Sequence, residues 1–386
     1  MGTIYLQRRE TKLYKRGEVW VYASGIDHCE PPKIEDGEEC SVFTFDHEFM
    51  GKGYYNSHSK IAVRLLTHED EALDEAFLEK RIKDAIDYRN SVYPYEGRRL
   101  INSEADQLSG LTVDQYKDYL CVQITSLGLD VRKETIFNIL DKLMKPLGIY
   151  EKDDMSIRTK EGLKPVTKVV KGEIPSEVIF DEDGILMSSD IKNGQKTGYY
   201  LDQRANRELI GSIAKGKSLL DICSNSGGFS LHALKQGASK VTCIDISKHA
   251  LEMVKNNCER NAFACPELVC SDALVYLKSN NDRYDIVVLD PPPFVKVKEA
   301  IEVAYKGYYD WAKAALSHVN KKGYFYMASC SEAMAPEMFK ECLKEACGSM
   351  GLYPQFITET YQPLDHPVLF NGGAGLYLKS ILLRII

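Results

Sequence analysis

The stretch LDICSNSGGFSLHAL (residues 220–234) is followed later in the chain by VVLDPPPF (residues 287–294). The first reads as an apolar strand, a turn of small residues and a helix, and the second as a buried strand that ends at Asp290. A strand, a glycine turn and a helix in this order are typical of the first unit of a doubly wound α/β domain, in which the turn lies against a ligand.

The same rhythm extends over residues 190–386. Apolar strands such as KVTCIDIS (240–247) alternate with amphipathic helices such as KHALEMVKNNCERN (248–261), which predicts parallel βαβ units and a doubly wound sheet. Residues 1–72 read as short strands broken by turns, a pattern that predicts a small β-barrel. Residues 73–189 mix strands with helices and predict an α+β middle domain.

Composition excludes several classes of protein. The chain has 386 residues, a net charge of -7 and 11 cysteines without a CxxC pair, so we expect a cytoplasmic protein with neither a disulfide framework nor a structural metal site. It contains no apolar run of 18 or more residues, so no membrane span is expected. A generic nucleic-acid binder would be basic, but a local patch is enough for RNA, and one candidate patch, which could equally be a solvated loop, comprises Arg158, Lys160, Lys164, Lys168 and Lys171.

An acidic residue lies at the end of each of three successive strands of the series, and the first of them, Asp221, can also hold the turn through backbone amides. Asp245 ends the second strand, where a carboxylate can accept from both hydroxyls of a ribose, and Asp272 follows the third, where it can meet an adenine amino group. The strict GxGxxG spacing of a dinucleotide site is absent. The set predicts an S-adenosyl-L-methionine (SAM) pocket of a class I methyltransferase, formed by Ser224, Asn225, Gly227, Asp245, Ile246, Asp272 and Ala273.

The segment from Asp290 to Phe294 is predicted to be the substrate end of this site. Pro291 and Pro292 hold the backbone rigidly just past the strand, so Asp290 can face the cleft and bond the edge of a flipped base. Phe294 is placed to stack on that base, although a buried packing role is also open.

Cys330, in the segment ASCS (328–331), decides which methyl-transfer chemistry is plausible. Cytosine C5 is a poor nucleophile until a thiolate adds to C6, and a group at N3, here Asp290, must then take up charge. The alternative is that Cys330 is one more buried cysteine, which is the common role of this residue type.

The whole chain resembles the ribosomal RNA large subunit methyltransferase I family. The resemblance is carried by GEVWVYASGI (17–26), ADQLSGLTVDQY (105–116), KTGYYLDQRANR (196–207), the glycine turn, LDPPPF, YKGYYD (305–310), SCS and LDHPV (364–368), in the order of the family. It implies a SAM-dependent enzyme that forms 5-methylcytosine in 23S ribosomal RNA, with an N-terminal PUA domain that binds RNA. It also implies a homodimer.

By position in the family pattern, Cys330 is the implied nucleophile, and Tyr200, Gln203 and Arg204 are implied to flank the methionine end of SAM or the entering nucleotide. Asp202 and Arg204 could instead form a structural salt bridge. The chain departs from the pattern at Pro293, where the family has lysine in DPPKF, and at GEVW, where the family has HPW. No second cysteine follows the prolines, so the base that removes the C5 proton is unidentified.

Two rival functions remain open. An enzyme that methylates the amino group of adenine N6 or guanine N2 also uses a DPP or NPP loop followed by an aromatic residue, and needs no cysteine. A protein that binds SAM or RNA without catalysis is the other rival. The intact acids Asp245, Asp272 and Asp290 speak against it.

Overall fold

The computed structural model describes residues 2–294, 301–371 and 375–386. The chain divides into two compact units. The first comprises Met1–Phe180, Ser189–Leu201 and Leu364–Gly375, and the second comprises Asp181–Ser188, Asp202–Pro363 and Leu376–Ile386. Nothing in the sequence pattern indicates that residues 364–375 belong to the first unit. The domain boundaries at 72/73 and 189/190 stay a prediction.

Residues 2–67 form a six-stranded sheet with one short helix. The elements are β1 (Gly2–Leu6), α1 (Thr11–Tyr14), β2 (Trp20–Tyr22), β3 (Ile26–Glu30), β4 (Glu39–Phe43), β5 (Phe49–Tyr55) and β6 (Ile61–Thr67). The strand order is β2-β6-β5-β4-β1-β3, and only β1 and β4 pair in parallel. In β1, buried Ile4 and Leu6 alternate with half-buried residues, so one face of the strand covers a core.

Residues 75–172 form a five-stranded sheet with four helices. The elements are α2 (Glu75–Val92), β7 (Gly97–Asn102), β8 (Leu111–Tyr116), β9 (Tyr119–Ile124), α3 (Leu127–Asp130), α4 (Lys133–Met144), β10 (Gly148–Asp153), α5 (Ile157–Lys160) and β11 (Val166–Gly172). The strand order is β11-β10-β9-β8-β7. The carboxylate of Asp74 accepts a hydrogen bond from the Phe77 amide at 3.0 Å and so caps α2, and Pro94 follows its end.

A two-stranded hairpin follows, consisting of β12 (Val178–Glu182) and β13 (Ile185–Ser189). Its turn residues Asp183 and Gly184 have φ values of 56° and 71°. Two left-handed residues in succession fit a tight hairpin turn, for which Asp-Gly is a favoured sequence.

The second unit contains a seven-stranded sheet. Its strands are β14 (Ser218–Ile222), β15 (Lys240–Asp245), β16 (Glu267–Cys270), β17 (Tyr284–Leu289), β18 (Val319–Ser329), β19 (Gln355–Thr360) and β20 (Lys379–Arg384). Its helices are α6 (Arg204–Ser212), α7 (Gly228–Lys235), α8 (Lys248–Arg260), α9 (Ala273–Ser279), α10 (Ile301–Leu316) and α11 (Pro336–Ser349).

The strand order of this sheet is β16-β15-β14-β17-β18-β20-β19. The five strands β14 to β18 are parallel, and β20 lies antiparallel between β18 and β19. The order reverses between β14 and β17, and α/β proteins bind their ligands at the carboxyl ends of strands at such a switch point. The α/β class predicted for the C-terminal part is confirmed. No helix in the described ranges is both long and apolar enough to cross a membrane.

Candidate active site

The glycine turn after β14 is a tight, left-handed loop. Cys223, Asn225 and Gly227 have φ values of 65°, 47° and 82°, a sequence of conformations that only a turn of small or polar residues adopts readily. A Cβ at Gly227 would lie 3.0 Å from Val254, so the helix α8 packs closely here. The hydroxyl of Ser224 is buried and has no hydrogen-bond partner among the described residues, so it can bond a ligand.

Asp221, within β14, holds this turn to its helix. Its Oδ2 accepts hydrogen bonds from the Ser230 amide at 3.2 Å and the Ser230 hydroxyl at 2.7 Å. Burial raises the pKa of Asp221 to about 6. The carboxylate therefore connects β14 to the first turn of α7.

Asp245 closes β15 beside the glycine turn. Its Oδ2 accepts from the Asn225 amide at 2.9 Å, and its Oδ1 accepts from the Ser247 amide at 2.8 Å. Each carboxylate oxygen has two lone pairs, so both can still accept from a ligand hydroxyl. The carboxylate is thus already oriented for a vicinal diol. The neighbouring Ile246 is 74% exposed and can cover an aromatic ring.

Asp272 is exposed and caps α9 after β16. Its Oδ1 accepts from the Val275 amide at 3.0 Å, which leaves Oδ2 for a ligand. Ala273 begins the helix and is buried. The register that pairs Asp221 with Cys243 and Asp245 with Cys270 places these strand ends along one edge of the sheet.

Asp290 follows β17 at the same edge. The Gln203 side-chain amide donates from Nε2 to Asp290 Oδ2 at 3.0 Å. Gln203 is itself held, because its Oε1 accepts from Asn206 Nδ2 at 2.6 Å and from the buried Tyr326 hydroxyl at 3.2 Å. Gln203 was predicted to contact SAM or the nucleotide; its contact with Asp290 was not foreseen, since the two lie 87 positions apart.

The exposure of the proline loop, residues 291–294, changes along its length. Pro291 is buried, Pro292 is exposed, and Phe294 is half-buried. The Phe294 ring packs edge-on against Tyr308 and Trp311, with centroid distances of 4.7 and 5.4 Å. These contacts match the packing role left open for Phe294, and stacking on a base stays a prediction.

Cys330 is half-buried and comes directly after β18. Strands β17 and β18 are parallel neighbours, with Leu289 opposite Met327, so Cys330 and Asp290 follow adjacent strand ends. The buried Tyr308 hydroxyl accepts from the Ser329 hydroxyl at 2.8 Å. Burial raises the pKa of Tyr308, the hydrogen bond with Ser329 lowers it, and negative charge at Cys330 and Asp290 raises it further.

Lys379 is a buried cation that the sequence analysis did not select. It is 1% exposed, and its ammonium donates to the carbonyl of Tyr377 at 2.9 Å and to that of Ser331. The sequence signal was a lysine in a largely apolar segment, YLKSILL (377–383).

The described side-chain contacts of Tyr200 and Arg204, two residues of the YLDQR segment, are with residues other than those at the strand ends. Tyr200 belongs to the first unit, where its hydroxyl donates to Gln195. Arg204 is buried in an ion pair with Asp183 of the hairpin turn, and Asp202 accepts from the Tyr377 hydroxyl at 2.8 Å. Cofactor roles for Tyr200 and Arg204 stay predictions.

The candidate basic patch needs correction. Arg158 is 1% exposed and forms ion pairs with Asp130 and Asp153, both at 2.9 Å, so it is a core residue and does not contact RNA in this fold. Lys168 lies 3.5 Å from Glu134, and Lys171 pairs with Asp141. Lys160 and Lys164 are exposed. The sequence shows the run of basic residues, but the acids that pair with them come from other segments and are seen only in the structure.

Comparisons with known proteins agree with this architecture. Residues 4–68 match the model of a PUA-like domain, and residues 203–307 match that of a family described as conserved hypothetical protein 95. The PUA-like domain predicted at the N-terminus is thereby confirmed, and its strands are β1 to β6. Together with the parallel sheet, this confirms the predicted fold class.

Curated relatives match over the full length. The chain is 36% identical over 394 residues to ribosomal RNA large subunit methyltransferase I of Aliivibrio fischeri, covering 100% of this chain and 99% of the relative. It is 35% identical over 395 residues to the protein of the same name from Vibrio cholerae, covering 99% of each.

Solved structures share the fold. The crystal structure of SMU.776, a candidate methyltransferase complexed with SAH, superimposes with a TM-score of 0.86 at 23% identity, covering 100% of both chains. A candidate SAM-dependent methyltransferase from Streptococcus mutans superimposes with a TM-score of 0.85, also at 23% identity and over 100% of both chains. At this identity the match shows the fold alone.

Proposed function

The chain belongs to the ribosomal RNA large subunit methyltransferase I family, and from this premise we propose that it methylates C5 of a cytosine in 23S ribosomal RNA. The methyl donor is S-adenosyl-L-methionine, and the nucleophile is Cys330. The family name carries methylation of large subunit ribosomal RNA. The cytosine-C5 chemistry is supported by the positions of Cys330 and Asp290.

The cofactor binds along the ends of β14, β15 and β16 in this proposal. Asp245, oriented by two backbone amides, accepts from the ribose hydroxyls. Asp272 uses its second oxygen for the adenine amino group, and Ile246 and Ala273 flank the ring. The turn residues Ser224, Asn225 and Gly227 approach the methionine part of SAM, where the Ser224 hydroxyl gains a partner.

A single observation supports the choice of C5. The half-buried thiol of Cys330 and the carboxylate of Asp290, which accepts a hydrogen bond from Gln203, follow adjacent parallel strands. The Cys330 thiolate forms a bond to C6 of cytosine, and the electron pair of the C5–C6 double bond becomes available at C5. C5 then attacks the methyl carbon of SAM and displaces S-adenosylhomocysteine. Loss of the C5 proton restores the double bond and expels the thiolate. The Asp290 carboxyl group donates a proton to N3 as negative charge builds up on the base, and the resulting carboxylate takes that proton back when the double bond is restored.

Replacing Cys330 with serine tests the nucleophile. A hydroxyl is a far weaker nucleophile than a thiolate near pH 7, so Cys330→Ser should lose methylation by several orders of magnitude while it keeps its fold and binds SAM. The matched control is Cys265→Ser, which changes an exposed cysteine and should keep wild-type activity. RNA that carries 5-azacytosine should trap the wild-type protein and the control covalently, but not the Cys330 variant.

If Cys330→Ser methylates at a rate near that of the wild type, the cytosine-C5 reading fails. Methylation of an exocyclic amino group at Asp290 then becomes the better account, because that chemistry needs no thiol. Mass-spectrometric analysis of the nucleosides in 23S RNA, from cells with and without the gene, distinguishes 5-methylcytosine from N6-methyladenine and N2-methylguanine and locates the target.

A further inference from the structure

Lys379 lies in the strand next to the one that precedes Cys330. In the antiparallel pairing of β18 and β20, Lys379 is opposite Ser329, the last residue before Cys330. Its side chain reaches past that position, and its ammonium donates to the carbonyl of Ser331, the residue after Cys330. The lysine therefore braces the backbone on both sides of the cysteine.

The ammonium of Lys379 is a buried positive charge. Within residues 2–294, 301–371 and 375–386, its two hydrogen-bond acceptors are the carbonyls of Ser331 and Tyr377, and no carboxylate lies within ion-pair distance. Burial lowers the pKa of Lys379 to about 8, while negative charge at Cys330 and then Glu332 acts to raise it. A buried cation is costly unless a neighbouring group balances its charge.

We propose that Lys379 is the positioning residue of the nucleophile: its ammonium is the counter-ion of the Cys330 thiolate, and its bond to Ser331 fixes the direction of the thiol. The inference rests on the proposed function, in which Cys330 attacks the base. It assigns a role to a residue that the proposed reaction otherwise leaves unused.

The other titratable groups around the pair do not replace this cation. Tyr308, from α10, interacts electrostatically with Cys330 and with Asp290, which follows β17, and Glu332 lies two positions after the thiol in the chain. A carboxylate destabilises a neighbouring thiolate, and a neutral phenol contributes no positive charge. Of Asp290, Glu332, Tyr308 and Lys379, the lysine is therefore the group that favours the ionised thiol.

The experiment follows the pH dependence of Cys330 alkylation by iodoacetamide in the intact protein, because the thiolate is the reacting form. Trypsin releases residues 323–340 as one peptide, and Cys330 is its single cysteine. Mass spectrometry therefore measures the alkylation of Cys330 separately from that of the other ten cysteines. In the wild type we expect a midpoint below about 8.5, the ordinary value for a thiol.

Three variants separate charge from packing. Lys379→Gln retains N–H donors but removes the charge, and we expect alkylation at pH 7 about tenfold slower, with the midpoint raised by about one unit. Lys379→Arg retains the charge and should keep a midpoint near that of the wild type. Lys344→Gln removes an exposed lysine of α11 and should change nothing.

A wild-type midpoint at or above the ordinary value overturns the proposal, even if the variants do not fold. An unchanged profile in a folded Lys379→Gln protein that still binds SAM overturns it as well. The proposed function fails by a different observation, an active Cys330→Ser variant. If Lys379→Gln shifts the alkylation midpoint but Cys330→Ser is still active, the ion pair between Lys379 and Cys330 exists but does not serve catalysis.

Discussion

The two halves of the candidate site are built in different ways, although both lie at the carboxyl edge of one sheet. In the cofactor half, which contains Asp245 and Asp272, Asp245 bonds amides two and 20 positions away and Asp272 an amide three positions away. In the base half, which contains Asp290 and Cys330, the Gln203 contact with Asp290 spans 87 positions, and the Lys379 contact with Ser331 spans 48. The two acids of the first half are thus held by nearer segments than the groups of the second half. SAM binding and base chemistry should therefore respond separately to substitution.

The strongest test of this separation is Asp290→Asn. The variant keeps the shape of the side chain but loses the acidic proton that is donated to N3 as the adduct forms, and removal of one group that stabilises developing charge typically costs about 10²–10³-fold in rate. We expect that loss in methylation of 23S RNA, with SAM affinity unchanged by calorimetry. The control Asp282→Asn alters an exposed carboxylate before β17 and should be neutral. A parallel fall in SAM affinity would show that the halves are one unit.

Asp245→Ala should show the converse. It removes the acceptor of two ribose hydroxyls, and each hydrogen bond to a charged group contributes roughly 1.5–3 kcal/mol. It also releases the Asn225 amide of the glycine turn. SAM affinity, measured by calorimetry, should fall at least about tenfold, since about 1.4 kcal/mol corresponds to tenfold in a dissociation constant.

The matched control for Asp245→Ala is Glu252→Ala, which removes an exposed carboxylate from α8. Its SAM affinity should equal that of the wild type. If Asp245→Ala binds SAM as tightly as this control, the cofactor pocket does not lie at the end of β15.

A smaller effect is expected for Gln203→Met, which leaves Asp290 in place but removes the amide that orients it. Methylation should fall by about fivefold to tenfold, in keeping with the loss of one hydrogen bond worth roughly 1–1.5 kcal/mol. Because Gln203 also accepts from Asn206 and Tyr326, thermal unfolding must be measured in parallel. A variant that loses SAM affinity instead would place Gln203 in the cofactor half, as one sequence expectation had it.

The same difference explains what the sequence could predict. The glycine turn is a short stretch, and each acid after β15 and β16 bonds an amide within three positions, so their roles could be inferred from short stretches of sequence. The parallel βαβ arrangement followed from the alternation of strands and helices for the same reason, whereas the order of the strands did not follow from it. The bond between Gln203 and Asp290 depends on where a distant helix packs, and the burial of Arg158 depends on Asp130 and Asp153 from other elements. Lys379 became a candidate only once β20 was seen to pair with β18.

The base half acts only on bound RNA, and the smallest predicted effect is on the affinity for RNA. Lys160 and Lys164 are exposed, and no ion pair is found for either within the described residues, whereas Lys168 and Lys171 already face Glu134 and Asp141. Phosphate contacts release counter-ions, so each should add about one unit to the slope of log affinity against log salt concentration.

Neutralising Lys160 and Lys164 to glutamine should therefore weaken binding of a 23S fragment and reduce that slope by about two. The paired lysines provide the matched control: the same change at Lys168 and Lys171 should reduce the slope less, because their charges are already balanced by carboxylates. Binding is measured by fluorescence anisotropy at several salt concentrations. Equal slopes for the wild type and the Lys160 and Lys164 variant would remove this surface from the RNA path, and they would leave the separation of the cofactor and base halves untouched.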